Sequence, residues 1–343
     1  RQIVIAAGSR AVLPPVPGID SSKVYTNDNV MRLDELPARM VVIGGGVIAA
    51  EFSHVFSAFG TEVTQLNRSS RLLRGVDEEI VARFAEAASK QWNIVKDASL
   101  SEIRENADGS VTVVAKRTTE NGEELLEIPA DAVLVATGRR PNTDTLNAKN
   151  YFDVQDGGQL SVDKYQRVLY NGAPVPGVYA LGDVSSRYQL KHVANHEARV
   201  VQHNLSHPED LRASDHRYVP AAVFSNPQIA VVGMTEEQAR QAAEREGFEI
   251  TVKAQNFGDT AYGWAMEDKI GLCKLIARKD NGVLLGAHLV GEESSVLIQP
   301  LLQAMSFGMD ARTLARGQYW IHPALTEIIE NALLGLEFDE PAN

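Results

Sequence analysis

Gly44, Gly46 and Ala49 are spaced as G-x-G-x-x-A, directly after the apolar run Met40-Val41-Val42-Ile43 and ahead of a helix-forming segment that begins at Val47. In that setting the first glycine permits a tight turn and the second lets the backbone approach a pyrophosphate. The small third residue lets helix and strand pack closely. The start of the helix adds N–H groups without intrahelical partners, which suit an anion. Dinucleotide binding is the expectation, and a glycine-rich turn with no ligand is the plainer alternative. NAD-binding units place an acid about 20 residues further on. Asn67 stands there instead, followed by Arg68, Arg71 and Arg74. No carboxylate at that point holds a ribose 2′-hydroxyl or repels a 2′-phosphate, and guanidinium groups bind phosphate through paired donors. The expected coenzyme is NADPH, weighed against a solvated basic loop.

Near the C-terminus, Trp320-Ile321-His322-Pro323 precedes a helix that contains Glu327. Proline suits the first helical position, which predicts His322 just outside the helix and Glu327 about one turn in. A carboxylate so placed reaches back to one imidazole nitrogen, fixes the tautomer and leaves the other nitrogen for proton transfer. A capped helix with a buried histidine would use the same residues. The strand-like run Val178-Tyr179-Ala180-Leu181 ends in Gly182-Asp183, an acid placed to accept from sugar-like hydroxyls or to cap a helix. Lys191, His192 and His196 lie near the start of the next helical segment. A single cysteine, Cys273, excludes an internal disulfide and a cysteine-rich metal site, and no metal is expected.

The elements that must position these groups follow from periodicity. Ile3 to Gly8 reads as a strand entering a turn, and Pro14, Pro15, Pro17 and Gly18 as a stiff connector. Val47 to Phe59 is a helix closed by Gly60, and Glu62 to Leu66 the next strand, a βαβ start. Val111 to Ala115 and Glu123 to Ile128 suggest a small antiparallel excursion, after which Ala132 to Ala136 returns as a buried strand. Strand-like pieces over 160–189 precede a helix over Leu190 to Leu205, and 208–214 is a polar linker. Ala221 to Ala230 reads as one strand. Thr235-Glu236-Glu237-Gln238 is a capping box for a helix that Gly247 closes. Leu272 to Ala277 and Val283 to His288 flank the hairpin signal Asn281-Gly282, and two or three helices end the chain. The 343 residues suffice for two or three domains, and 44% hydrophobic with 23% charged residues is ordinary for a globular protein. A net charge of -12 argues against nucleic-acid and anionic-membrane partners. No apolar run is long enough for a membrane span. The single cysteine favours a reducing, cytoplasmic setting.

Taken in order, Ala-Ala-Gly at 6–8, the glycine turn, Ala136-Thr137-Gly138-Arg139-Arg140-Pro141-Asn142, Leu181-Gly182-Asp183-Val184, Val219-Pro220 to Val232-Gly233 and His322-Pro323 resemble the pyridine nucleotide–disulfide oxidoreductase family over essentially the whole chain. Three stretches are similar to the branch of that family that reduces mycothiol disulfide: Leu190 to Arg199, Ala261 to Asp268 and Gly317 to Leu325. The resemblance implies an α/β fold in which a Rossmann-like NAD(P)-binding domain is inserted in an FAD-binding domain, partial here, and an α+β dimerisation domain follows. The implied boundaries are 1–20 and 144–215 for the FAD-binding parts, 21–143 for the NADPH-binding domain and 216–343 for the dimerisation domain.

The resemblance also implies roles. Gly44, Gly46 and Ala49 would bind the NADPH pyrophosphate, and Arg68 and Arg74 would hold the 2′-phosphate with Arg71 between them. Glu51 would stand near the nicotinamide, and Val47 would replace an aromatic gate found in some relatives. Gly138, Arg139 and Asp183 would belong to the FAD site, Asp183 on the ribityl chain. Lys191, His192 and Val193 would line the flavin's pyrimidine edge. His322 and Glu327 would form the acid–base dyad, the histidine serving the partner subunit of a homodimer. The implied activity is FAD-dependent, NADPH-driven reduction of mycothiol disulfide. A lipoamide dehydrogenase-type activity is the nearest rival, and it would favour an acid at Asn67. Mercuric reduction would need further cysteines near the C-terminus. The family opens with a glycine-rich FAD-binding unit and a C-x-x-x-x-C pair, neither present in these residues. The expectation is therefore a chain that begins within a longer protein and turns nothing over alone.

Overall fold

A computed structural model describes residues 2–339. The chain divides into two compact units, Arg1–Leu13 with Thr137–His216, and Pro14–Ala136 with Arg217–Asn343. The divisions at 13/14 and 136/137 fall seven residues before the boundaries expected at 20/21 and 143/144, and that at 216/217 falls one residue after 215/216.

In the first unit, Ile3–Ile5 runs parallel to Ala173–Ala180, which pairs on its other edge with the antiparallel strand Arg167–Tyr170. Ser9–Ala11 pairs antiparallel with Arg139–Pro141. The helix Lys191–Ser206 follows the short 3-10 turn Gly182–Val184. Leu160, Val168, Val178, Ala180 and Val184 make a small apolar core under these elements.

The second unit holds a parallel sheet in the order Val24–Tyr25, Ala132–Val135, Arg39–Ile43, Glu62–Leu66, Asn93–Val95. Its strand Arg39–Ile43 is apolar on both faces, as a covered parallel strand must be. Met40 and Val42 pack with Ala49, Ala50, Phe56, Ile80 and Phe84 of the helices Val47–Ala58 and Glu78–Ala88. Val41 and Ile43 pack with Ile103, Val111, Val113 and Ala130 of a three-stranded meander on the other face. The meander comprises Ala98–Glu105, Val111–Thr119 and Gly122–Ala130. Its first strand was not foreseen, because Ser99, Ser101, Glu102, Arg104 and Glu105 mask the alternation and the register shifts between Leu100 and Glu102.

An antiparallel sheet follows, in the order Ala221–Val223, Gln228–Gly233, Leu284–Gly291, Leu272–Arg278, Ile250–Asn256. The single strand expected over 221–230 is thus two. Pro227 has no N–H for a ladder, and the chain turns there through a cis Asn226–Pro227 bond. The capping box forms, with Thr235 and Gln238 exchanging bonds and Gly247 left-handed at the helix end. Among the described residues four helices follow this sheet rather than two or three: Ser294–Leu297, Gln299–Phe307, Ala311–Arg316 and Glu327–Leu334. They cover Cys273, Leu275, Ala277, Ala287 and Leu289, while the alternate residues Leu272 and Val290 join Ile80 and Phe84 in the core beneath the parallel sheet. Among the described residues no helix is long and apolar enough to cross a membrane.

Candidate active site

The register Ile43↔Leu66 brings the ends of two parallel strands level, so that Gly44 to Gly46 and Asn67 emerge side by side. Gly44 donates its N–H to Leu66 O at 2.8 Å and turns with φ +139°, where a Cβ would meet Ala136 O at 2.3 Å. Only glycine fits that turn. Gln65, fully buried, donates Nε2 to Gly44 O at 2.9 Å and accepts from Trp92 Nε1 at 2.9 Å. Ala49 is also fully buried against the sheet.

Gly46 is different. Its backbone is extended (φ −92°, ψ −171°), a conformation open to any residue, and nothing lies within 4 Å of the position its Cβ would take. Neither strain nor crowding inside the chain requires glycine there. The unfilled volume faces outward at the start of the helix Val47–Ala58, which has no side-chain cap. That is the shape a pyrophosphate needs to approach backbone N–H groups. Val47 stands exposed beside it.

The three arginines do not act alike. Arg68 is exposed and makes no hydrogen bond or ion pair among the described residues. Arg74 is exposed and donates Nε to Ser69 Oγ at 3.1 Å. Arg71 is half-buried and turns inward to donate to Val76 O. Two guanidinium groups, Arg68 and Arg74, therefore face solvent at the strand end, and Arg71 does not. Asn67 contacts no open space: it is 5% exposed and its amide is used within the loop.

Glu51 sits on the second turn of the glycine helix and accepts from Phe224 N at 2.9 Å. Burial lifts its carboxyl above the ordinary carboxylate range, with the Phe224 hydrogen bond opposing.

In the first unit Asp183 Oδ2 accepts from Ser9 Oγ at 2.6 Å. Arg139 donates Nε to the same Ser9 Oγ and a terminal nitrogen to Ser9 O, each at 2.8 Å. No other donor reaches the Asp183 carboxylate among the described residues, so it keeps acceptor capacity for a sugar-like hydroxyl. Gly182 N donates to the buried Glu197 Oε2 at 2.7 Å, which sets this turn. Gly138, at φ +135°, donates no side chain but gives its carbonyl to Val12 N at 3.0 Å. Lys191 and His192 are exposed in the first turn of an uncapped helix, whereas the Val193 side chain is 3% exposed and buried in the core, so only its backbone could face a ligand. The arrangement fits one acceptor edge of a flavin nucleotide site.

His322 Nδ1 lies 2.7 Å from Glu327 Oε1. A carboxylate can only accept, so Nδ1 carries the hydrogen and Nε2 is left to exchange a proton. The dyad forms by a route other than the one expected. Pro323 is not the first helical residue; the His322–Pro323 bond is cis, and the helix begins at Glu327 itself. Glu327 then occupies the electropositive helix start and folds back over the turn, its other oxygen 3.4 Å from Ala324 N. The imidazole is two-thirds exposed while its carboxylate is largely covered. Trp320 Nε1 anchors the preceding loop on Ala315 O at 3.0 Å.

Residues missed from the sequence are Ser9, Gly45, Gln65 and Glu197. Only Gly45 carried a signal: glycine stands where the motif accepts any residue.

A parallel sheet with a glycine turn beside open volume, an acid with spare acceptor capacity and a His–Glu pair are features that suit a pyridine nucleotide-dependent oxidoreductase. The chain belongs to the pyridine nucleotide-disulphide oxidoreductase family, whose profile matches residues 1–198, with the family's dimerisation domain over residues 219–333. It is 52% identical over 340 residues to mycothione reductase of Mycobacterium tuberculosis, covering 98% of this chain and 70% of that protein. Dihydrolipoyl dehydrogenase of Synechocystis is 32% identical over 333 residues, covering 97% of this chain and 69% of the other. Among solved structures, the HOCl-induced flavoprotein disulfide reductase of Escherichia coli superposes with a TM-score of 0.84 at 30% identity, covering 97% of this chain and 73% of that one. The chain is therefore a flavoprotein disulfide oxidoreductase by family.

Proposed function

We propose that this protein reduces mycothiol disulfide to two molecules of mycothiol with NADPH, through FAD, as a homodimer built on residues 219–333. The overall change is disulfide plus NADPH plus a proton to two thiols plus NADP⁺. The observation that carries the reading is the His322–Glu327 pair, held at 2.7 Å in a chain 52% identical to a relative named for mycothione reduction.

Each step assigned to this chain follows from its own groups. Gly44 to Gly46 and the start of the helix at Val47 receive the coenzyme pyrophosphate, Arg68 and Arg74 its 2′-phosphate. Glu51 stands one turn further along the same helix, on the nicotinamide side. Asp183, with Ser9 and Arg139 behind it, accepts from the flavin's ribityl hydroxyls, and the helix start at Lys191 to Val193 faces the pyrimidine edge. Bound flavin supplies a relay for two electrons between nicotinamide and sulfur. His322 Nε2 gives a proton to the departing thiolate and takes one back, its ring held by Glu327. Cys273 has no part in this. It is fully buried, and burial pushes its thiol up to about 12, so it forms no thiolate at neutral pH. A chemistry that releases free thiols fits a reducing, cytoplasmic setting.

His322→Ala in the enzyme is expected to leave flavin reduction by NADPH intact, followed by absorbance, and to lower disulfide turnover by roughly 10²–10⁴-fold. Equal loss of both steps would remove the assigned role.

A further inference from the structure

The G-x-G-x-x-A pattern leaves its second position open, yet that position is Gly45. The backbone at Gly45 is not left-handed. What excludes a side chain is Asn67: a Cβ on Gly45 would lie 2.1 Å from Asn67 Oδ1 and 2.6 Å from its Cγ. The Asn67 amide occupies the space of the missing side chain. Its other end is fully used, Nδ2 donating to Ser69 O at 2.6 Å and to Arg71 O at 3.0 Å. Ser69 Oγ donates to Arg71 O at 2.9 Å and accepts from Arg74 Nε at 3.1 Å. Leu73 N closes the circuit on Gly45 O at 2.8 Å.

We propose that Asn67 is a positioning residue that sets coenzyme preference. Wedged against Gly45, it folds the arginine-bearing loop 68–74 back onto the phosphate turn and so fixes where Arg68 and Arg74 stand relative to the pyrophosphate. The inference rests on the reading of residues 40–74 as an NADPH site. It gives a reason beyond charge why an acid is absent from position 67. A buried carboxylate has no hydrogen to donate, so an aspartate there would face the carbonyl oxygens of Ser69 and Arg71, and the loop would have to open. Preference is then a joint property of positions 45 and 67.

Calorimetric titration with NADP⁺ and NAD⁺ tests this, alongside thermal melting, on the unaltered protein, Asn67→Asp, Asn67→Ser, Gly45→Ala and the double variant Gly45→Ala/Asn67→Ser. The unaltered protein is measured first. If it binds NAD⁺ as well as NADP⁺, the NADPH reading fails and the inference with it. Given a preference, Asn67→Asp is expected to weaken NADP⁺ about tenfold or more with no gain for NAD⁺. A comparable gain for NAD⁺ would mean that position 67 touches the ribose directly, and would overturn the proposal. So would a lowered melting temperature with an unchanged NADP⁺/NAD⁺ ratio, the mark of a merely structural residue. Gly45→Ala alone should weaken NADP⁺ about tenfold. The double variant should bind no worse than Asn67→Ser, because removing the amide vacates the space the new Cβ needs. Losses that simply add would overturn the wedge, and this cycle decides even if Asn67→Asp does not fold.

Discussion

The arginine loop at 67–76 and the cluster around Lys274 are both concentrations of charge in one unit, and their charges are used in opposite ways. Lys274 is 5% exposed, with Nζ 2.9 Å from Asp77 Oδ1, 2.7 Å from Glu236 Oε2 and 3.2 Å from Glu79 Oε2. An ammonium has three donors, and three carboxylates meet them. Asp77 goes further, capping the helix Glu78–Ala88 through Glu79 N and accepting from Glu236 N at 3.0 Å. The lysine's charge is met inside the fold, and two helix starts are tied to the strand Leu272–Arg278. At the arginine loop the valences stay open: Arg68 has no partner among the described residues, and the space beside Gly46 is unfilled. Charge satisfied within the chain maintains the chain. Charge held in place but left unsatisfied is available to a ligand. Within the same loop Arg71 turns inward to Val76 O, away from the solvent that Arg68 and Arg74 face.

The largest effect that would test this contrast is expected at Lys274. Lys274→Met strands the buried Asp77 carboxylate and should cost about 3–5 kcal/mol of stability, read from denaturant unfolding. The pH dependence gives a second check. Burial acts to lower the Lys274 value, but the hydrogen bonds it donates to Glu236 and Asp77 hold it above the ordinary lysine range. Burial acts to raise Asp77 and Glu236, but the Glu236 N–H and Lys274 hold Asp77 low, and Lys274 and Arg240 hold Glu236 low. A lowered acid contributes stability above its unfolded value that is lost as pH falls through the folded one. A raised lysine contributes below its unfolded value, and that part is lost as pH rises through the folded one. The cluster's contribution should therefore be full between about pH 5 and about pH 10, and the variant should lack both flanks. An unchanged pH profile in the variant would show that the cluster is not what it is taken to be.

Gly46→Val should act in the reverse sense. The backbone is extended there and no atom of the chain lies within 4 Å of the added Cβ, so the melting temperature should hold while NADPH binding falls about 100-fold, about 2.7 kcal/mol. Undiminished binding would mean that the open volume is not the pyrophosphate seat. The smallest effects belong to the arginines. Arg68→Ala and Arg74→Ala should each weaken NADPH roughly tenfold and leave NADH unaltered. Arg71→Ala should lower stability and leave the NADPH/NADH ratio nearly unchanged. Equal effects of all three on coenzyme preference would dissolve the distinction between closed and open charge.

What the sequence by itself determined is local or periodic. Gly44, Gly46 and Ala49 announce a tight strand–turn–helix because each needs little more than the strand before it and the helix after it. The capping box at Thr235 and Gln238 and the turn at Asn281-Gly282 follow from side chains a few residues apart. The six-residue span from His322 to Glu327 was enough to foretell a proton pair, though not that Glu327 itself would begin the helix. The tertiary structure decided whatever depends on residues distant in the chain. Ser9 meets Asp183 across 174 positions, Lys274 meets Asp77 across 197, and Glu51 meets Phe224 N across 173. Which arginine faces outward was equally hidden, because Arg68, Arg71 and Arg74 have the same chemistry and differ only in where the loop turns them. Gly45 lies between these cases: the residue is plain in the sequence, but its reason is the Asn67 amide that the strand register Ile43↔Leu66 brings alongside.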